Sequence, residues 1–226
     1  RNWHASAAGG GTPGAVNSVD AIGLPPWIDG VQHTPDPAPL DPIVVTAAVL
    51  DATTVDLTYK IDWGTEVQIS MLDDGASGDG GAGDGVYGAT IPGQPMGTLV
   101  RYRISASGAT GTLGVPRDDD TLPYGGTAVH DPALSSQVPI LQWFMDPVDY
   151  QDALDHRYTD EREPAVLFYD GTLYDGVEVR IRGQSARGWE KPPWKFFMPQ
   201  GHDFEAPGLI HRSVDTFNLQ SNYADK

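Results

Sequence analysis

The sequence has 226 residues, with 14 Lys and Arg against 31 Asp and Glu, six His and no Cys, for a formal net charge of −17. That charge repels nucleic acid and anionic membrane surfaces, and the absence of Cys removes disulfides, zinc-thiolate sites and thiol chemistry together. No stretch approaches the roughly 20 apolar residues of a membrane helix, and the length suits two ordinary domains that each bury a core. Most of the acid is Asp, 25 residues against six Glu, which favours turns and hard-cation ligation over helix faces. Arg1-Asn2-Trp3 shows neither an initiator Met nor a signal pattern, so the chain reads as an internal piece of a longer protein.

The first segment, Ala5 to Ser18, is too rich in small residues and turn formers to bury a core. Its Gly11-Thr12-Pro13-Gly14-Ala15-Val16-Asn17-Ser18 run resembles the last strand and exit of a lamin-tail domain, so 1–24 is read as the end of such a domain or as a plain linker. Six prolines between Pro25 and Pro42 stiffen the chain and withhold backbone donors, which predicts an interdomain lead-in. Beyond it come apolar or alternating runs at Ile43–Val49, Val55–Ile61, Val67–Met71, Val86–Ile91 and Leu99–Ala106. Period two and sandwich-like spacing predict an immunoglobulin or fibronectin-like β-sandwich over 25–135.

A second boundary is expected after Pro116, where Arg117-Asp118-Asp119-Asp120 opens a loop-rich stretch. From about Val138 the pattern is strand, short helix, then strands. Pro139–Met145 leads, Asp146 is placed to cap a helix through His156, and strands follow at Ala165–Tyr169, Val177–Arg182, Trp194–Met198 and Val214–Leu219. The expectation for 136–226 is an α+β domain dominated by antiparallel strands, and for the whole chain a mainly β fold.

Between two predicted strands, Asp73 to Tyr87 carries four carboxylates, Asp73, Asp74, Asp79 and Asp84, among six glycines. Calcium takes roughly six to eight oxygens in irregular geometry, so these four are candidate calcium ligands, although the EF-hand spacing is absent. The competing expectation is a hairpin loop whose Asp side chains satisfy their own backbone in Asx-turns and bind nothing. The segment also resembles a signature of immunoglobulin-like modules in secreted bacterial proteins.

Arg180, Arg182, Arg187, Lys191 and Lys195 form a basic island broken by the single acid Glu190. Such a reversal in so acidic a chain predicts an anion-facing site or an internal ion-pair partner. Four pieces in order, Tyr169–Val177, Arg180–Ser185, Lys191–Phe197 and Phe217–Asp225, resemble the N-terminal part of the spore-coat-H (CotH) kinase family. The resemblance implies a kinase-like N-lobe in which Arg182, Gly183 and Ser185 lie near ATP phosphates and Lys195 contacts them. At Lys191 the sequence departs from the family pattern, because Pro192 stands where the family often has a second lysine.

That family's enzymes are atypical kinases that phosphorylate protein using ATP and a divalent metal. The resemblance thus implies a secreted or cell-surface multidomain parent acting on a protein substrate. The family's helix and catalytic lobe follow the point where this sequence ends at Lys226, so the chain alone is expected to be inactive. The alternative is an extracellular structural or adhesive protein, with a calcium-stabilised immunoglobulin-like module that meets a surface partner without catalysis. A hydrolase finds no support, since the six histidines are scattered and make no nucleophile-base-acid set.

Overall fold

The computed structural model describes residues 24–134, 136 and 140–220, and over these the fold is mainly β. The lamin-tail-like stretch before residue 24, and the end of the kinase-like motif from Ser221 to Asp225, lie outside the described residues. No helix among them is long and apolar enough to cross a membrane.

Alternating side chains build the first unit. In β2 (Ile43–Leu50), Ile43, Val45, Ala47 and Val49 point inward, and in β3 (Thr54–Ile61), Val55, Leu57 and Tyr59 do the same. With β1 (Trp27–His33), β4 (Val67–Ser70), β5 (Val86–Ile91), β6 (Leu99–Gly108), β7 (Gly111–Val115) and β8 (Gly125–Ala128) they make two antiparallel sheets. One has the order β1-β2-β5 and the other β4-β3-β6-β7, with β8 also paired to β6. The ten-residue β6 serves both halves of its far edge, pairing β8 through Leu99–Tyr102 and β7 through Ile104–Gly108. Val100, Tyr102, Ile104 and Ala106 meet the inward side chains of β2 and β3 in one core.

Two segments depart from expectation. The proline-rich lead-in contains β1, because its prolines flank 27–33 rather than interrupt it and leave the amides free to pair with β2. Within the loop-rich stretch after Pro116, Gly125-Gly126-Thr127-Ala128 forms β8 despite poor strand propensity. A Cβ on Gly126 would lie 2.2 Å from Val100 O and 3.0 Å from Leu173, so a larger residue could not approach both β6 and the second unit.

That second unit comprises β9 (Leu141–Phe144), α1 (Pro147–Asp155), β10 (Glu163–Tyr169), β11 (Thr172–Ile181), a 3₁₀ turn (Ser185–Gly188), β12 (Trp194–Phe197) and β13 (Thr216–Leu219). The sheet order is β13-β12-β11-β10-β9 with antiparallel pairing throughout. Asp146 caps α1 by accepting from Val148 N at 2.9 Å, ahead of Pro147 in the first turn. Asp170 and Gly171, both at positive φ (48° and 77°), turn β10 into β11 as a two-residue hairpin. Its core gathers Leu167, Val177, Val179, Trp194 and Phe196, with Phe196 and Phe217 stacked at 4.9 Å.

The two units meet through the reverse faces of these strands. Leu99 and Ala128 of the first unit pack with Val166, Phe168 and Leu173 of the second, which is why β10 is buried on both sides. Beside this patch Arg101 and Asp175 are 5 % and 3 % exposed, with Arg101 Nη1 3.3 Å from Asp175 Oδ1. Asp175 reaches that place because the β10–β11 register slips. Ala165 pairs with Val177 and Leu167 with Tyr174, so Asp175 and Gly176 bulge together opposite Val166, with Gly176 at φ 78°. Arg101 Nη2 donates to Asp62 O at 2.6 Å, and Asp62 Oδ1 accepts from Leu99 N at 2.9 Å. Burial pushes the Asp175 carboxyl up, and the Arg101 charge pulls it part of the way back.

The two partners are not equivalent, because a carboxyl can shed its charge by taking a proton and a guanidinium cannot. Asp175→Ala is expected to cost about 3–5 kcal/mol in chemical denaturation, the penalty of a buried unpaired charge. Arg101→Met is expected to cost less. In that variant stability should fall as pH rises through the raised pKa of Asp175, since a carboxyl whose pKa is raised by folding stabilises only while protonated. An equal loss for both variants, independent of pH, would contradict this account of the pair.

Candidate functional site

The outward face of the second sheet holds two residues of the basic island, Arg180 and Lys195. Arg180 of β11 and Lys195 of β12 are direct cross-strand partners, Lys195 in turn opposes Asn218 of β13, and Glu178 opposes Phe197. Arg162 lies over the Phe197 ring at 3.6 Å and pairs with Glu178 at 2.8 Å, while Lys195 Nζ is 4.8 Å from the same ring centroid. Arg180 bonds Asp160 at 2.6 Å. The face is therefore a cationic strip around one aromatic ring, partly compensated by Asp160 and Glu178.

The turn beyond β11 is fixed by Arg187, one of the five cations of the basic island. Its side chain is 15 % exposed and points back into the chain. Nε donates to Gly183 O at 2.6 Å, and Nη1 donates to Thr159 O at 2.9 Å and Arg157 O at 3.2 Å. Gly183 holds φ 98°, and Arg182 N donates to Pro193 O at 3.0 Å, which closes the neck of the turn. Ser185 opens the 3₁₀ turn, and Gln184 at its N-cap makes no side-chain capping bond. Among the described residues the Arg182 guanidinium and the Lys191 amine have no hydrogen-bond or ion-pair partner. Of the residues picked from sequence, Arg182, Gly183 and Ser185 share this turn and Lys195 sits on the adjoining strand.

The acidic loop is closed by its own backbone. Asp73 Oδ1 accepts from Gly83 N at 2.7 Å and Asp84 N at 3.2 Å, and its Oδ2 accepts from Gly85 N at 3.0 Å. Asp74 Oδ1 takes Ala76 N and Ser77 N, both at 2.9 Å, and these bonds hold its carboxyl below the usual range. Asp84 takes Gly81 N and Val86 N, and Asp79 Oδ2 takes Gly75 N at 2.8 Å. Asp79 is buried, and its Oδ1 has no hydrogen-bond partner among the described residues. The loop lies tight against the sandwich: a Cβ on Gly78 would come within 2.5 Å of Val44, and one on Gly88 within 2.4 Å of Ser77 O. Among the described residues no three His, Asp or Glu side chains gather as a metal site.

Two clefts escaped the sequence reading, because their residues come from distant segments with no shared motif. One of about 390 Å³ is lined by Thr172, Tyr174, His202, Asp203, Glu205 and Ser213. At its edge His202 Nε2 meets Asp120 at 2.6 Å, and Ser213 Oγ donates to Asp203 at 3.2 Å. Ser213 and His202 thus bond different carboxylates rather than each other, and no nucleophile-base pair results. The other, about 470 Å³, lies where His33, Asp36, His130 and Asp170 face one another across the two units. His33 Nδ1 is 2.8 Å from the Tyr102 hydroxyl, and burial pushes the His33 pKa down.

With this geometry in place, the first unit is an immunoglobulin-like module. Residues 42–113 match the family model of the second Ig-like domain of conditioned medium factor. No curated protein matches the chain. Among solved structures, the crystal structure of a bromine derivative of BhCBM56 aligns with 43 % of this chain and 90 % of its own, at 10 % identity and a TM-score of 0.32. That likeness is too loose to carry an argument.

A loop tied by Asp73 to three amides should depend on that residue rather than on a cation. Asp73→Ala is expected to destabilise the module by about 2 kcal/mol, measured by thermal melting. A chelator should leave the melting temperature of the unmutated chain unchanged. A chelator-induced fall of several degrees would instead place a cation at the loop, with the unpartnered Asp79 Oδ1 as its first ligand.

Proposed function

We propose that the chain is part of a secreted multidomain protein of the CotH kinase type. In this reading an immunoglobulin-like domain over 25–135 is fixed to a phosphate-binding sheet over 136–226. The observation that carries it is the Arg182 guanidinium at the Arg187-braced turn, without a hydrogen-bond or ion-pair partner among the described residues, with Lys195 on the adjoining strand where, among those residues, its ammonium meets an aromatic ring and no carboxylate. Donors of this kind suit phosphate oxygens, and Gly183 at positive φ keeps a side chain off the turn.

ATP is the nucleotide expected from the family resemblance, and Arg182, Gly183, Ser185 and Lys195 are the residues that would hold its phosphates. Bound ATP would supply the transferable phosphoryl group. The chain's own contribution is to bind and orient it: Lys195 and Arg182 offset charge, and Arg187 keeps the turn in register through three carbonyls. The described residues offer no gathered carboxylates for the divalent metal that phosphoryl transfer uses, so this region is assigned binding and orientation only.

A non-catalytic extracellular role is supported by a different observation, the buried Arg101–Asp175 contact that fixes the module to the sheet. A rigid pair of units suits a structural or adhesive protein that presents one surface to a partner. Titration with ATP distinguishes the two. The kinase-type reading expects saturable binding, weakened about tenfold by Lys195→Ala or Arg182→Ala, the loss of one charge-assisted contact. Absence of binding, or binding indifferent to both changes, favours the structural reading.

A further inference from the structure

The polar face of the β3–β6 sheet carries a second concentration of positive charge, remote in sequence from the basic island. Lys60 and Arg101 are cross-strand partners and Arg103 lies two residues further along β6, so all three side chains rise from one face. They converge on one ring. Lys60 Nζ lies 4.2 Å from the Tyr124 centroid, with the Arg103 and Arg101 guanidiniums at 5.7 and 5.8 Å. Two carboxylates answer these three cations: Asp175 pairs with Arg101, and Glu66 pairs with Arg103 at 3.2 Å while accepting the Tyr124 hydroxyl.

One positive charge is left over, in a protein whose net charge is −17. It falls on Lys60, which makes no ion pair among the described residues and meets only the Tyr124 ring. Deeper in the cluster Arg101 is 5 % exposed, and its buried Nε has no acceptor among the described residues. A buried donor left without an acceptor costs free energy that an added acceptor recovers. Like charges held this close also repel, and the effect is visible on Lys60: burial first, then the Arg101 charge, pushes its pKa down. Glu66 and Asp175 oppose that shift only in part.

We propose that Lys60, Arg101 and Arg103, gathered around Tyr124 at the junction of the two units, form a binding site for a tetrahedral oxyanion, phosphate or sulfate, either free or carried as a monoester. A planar carboxylate is satisfied by a single guanidinium fork, whereas donors arriving from three side chains match an anion with several outward oxygens. Arg103 and Glu66 are about half and two-fifths exposed, so the anion enters from solvent on their side. The site is separate from the proposed ATP-binding turn and does not depend on it.

The test uses the whole chain carrying Lys195→Ala, which disables the ATP-binding turn, titrated with inorganic phosphate and with O-phosphoserine while amide NMR signals are followed. Shifts centred on Lys60, Arg103 and Tyr124 are expected, and Lys60→Gln or Arg103→Gln should weaken binding about tenfold. The stronger of the two ligands tells a free anion from an esterified one. Mass-spectrometric footprinting with an amine acylating reagent needs no variant, and the anion should protect Lys60 more than the other lysines. Titration that leaves these signals unmoved, affinity unchanged by Lys60→Gln, or Lys60 acylated equally with and without anion would each overturn the proposal.

Discussion

One buried charge sets the arrangement of this molecule. Arg101 stands on a central strand of the immunoglobulin-like module and points away from that module's core. A guanidinium cannot be neutralised by losing a proton, so its burial demands a counter-charge, and the carboxylate that pairs with it comes from outside the module. The β10–β11 sheet supplies it by distorting its own ladder, with a bulge at Asp175-Gly176 that turns a carboxylate out of register and toward Arg101. The apolar patch of Leu99, Ala128, Val166, Phe168 and Leu173 shields the pair from water. Gly126 lets β8 lie close enough for that patch to form.

Both cationic regions inherit their geometry from this arrangement. The Tyr124 cluster exists because Arg101 is held inward, which leaves Lys60 and Arg103 crowded beside it on the same sheet face. The basic strip of the second sheet lies on the face opposite its core, kept outward by the alternation that sends Val179, Ile181 and Phe196 inward. Its turn is braced from within by Arg187 rather than left to solvent. The two regions differ in what they lack among the described residues: the strip offers unpaired donors at its rim, and the cluster carries an excess charge and a buried donor without an acceptor.

Local signals made much of the fold legible. Alternating apolar residues marked β2, β3 and β6, Asp146 marked the start of α1, and the immunoglobulin-like module followed from strand spacing and stands with the family match over 42–113. Elements that exist through long-range contact were not legible. β1 hid among prolines that turned out to flank it, and β8 was too glycine-rich to read as a strand until Leu173 gave Gly126 its reason. For the site, the sequence placed a turn after Arg182 with Lys195 on the next strand, and the family resemblance, not residue spacing, singled out Arg182, Gly183, Ser185 and Lys195. β11 ends at Ile181, so Arg182 belongs to the turn rather than to the strand. The sequence could not separate Arg187, whose donors are taken up by three backbone carbonyls and Asp160, from cations without a partner among the described residues. Nor could it find the Tyr124 cluster, since Lys60, Arg101 and Tyr124 meet only once β3, β6 and the connector fold together.

The central claim is that the module and the second sheet form one cooperative body through this junction. Hydrogen exchange measured through a denaturant series tests it directly, by comparing the amides of β3 and β6 with those of β10 and β11. Coincident opening of the two groups, with the same free energy and the same denaturant dependence, is the predicted result. Loss of protection in β10 and β11 at denaturant concentrations where β3 and β6 remain fully protected would show two independent units and contradict the account.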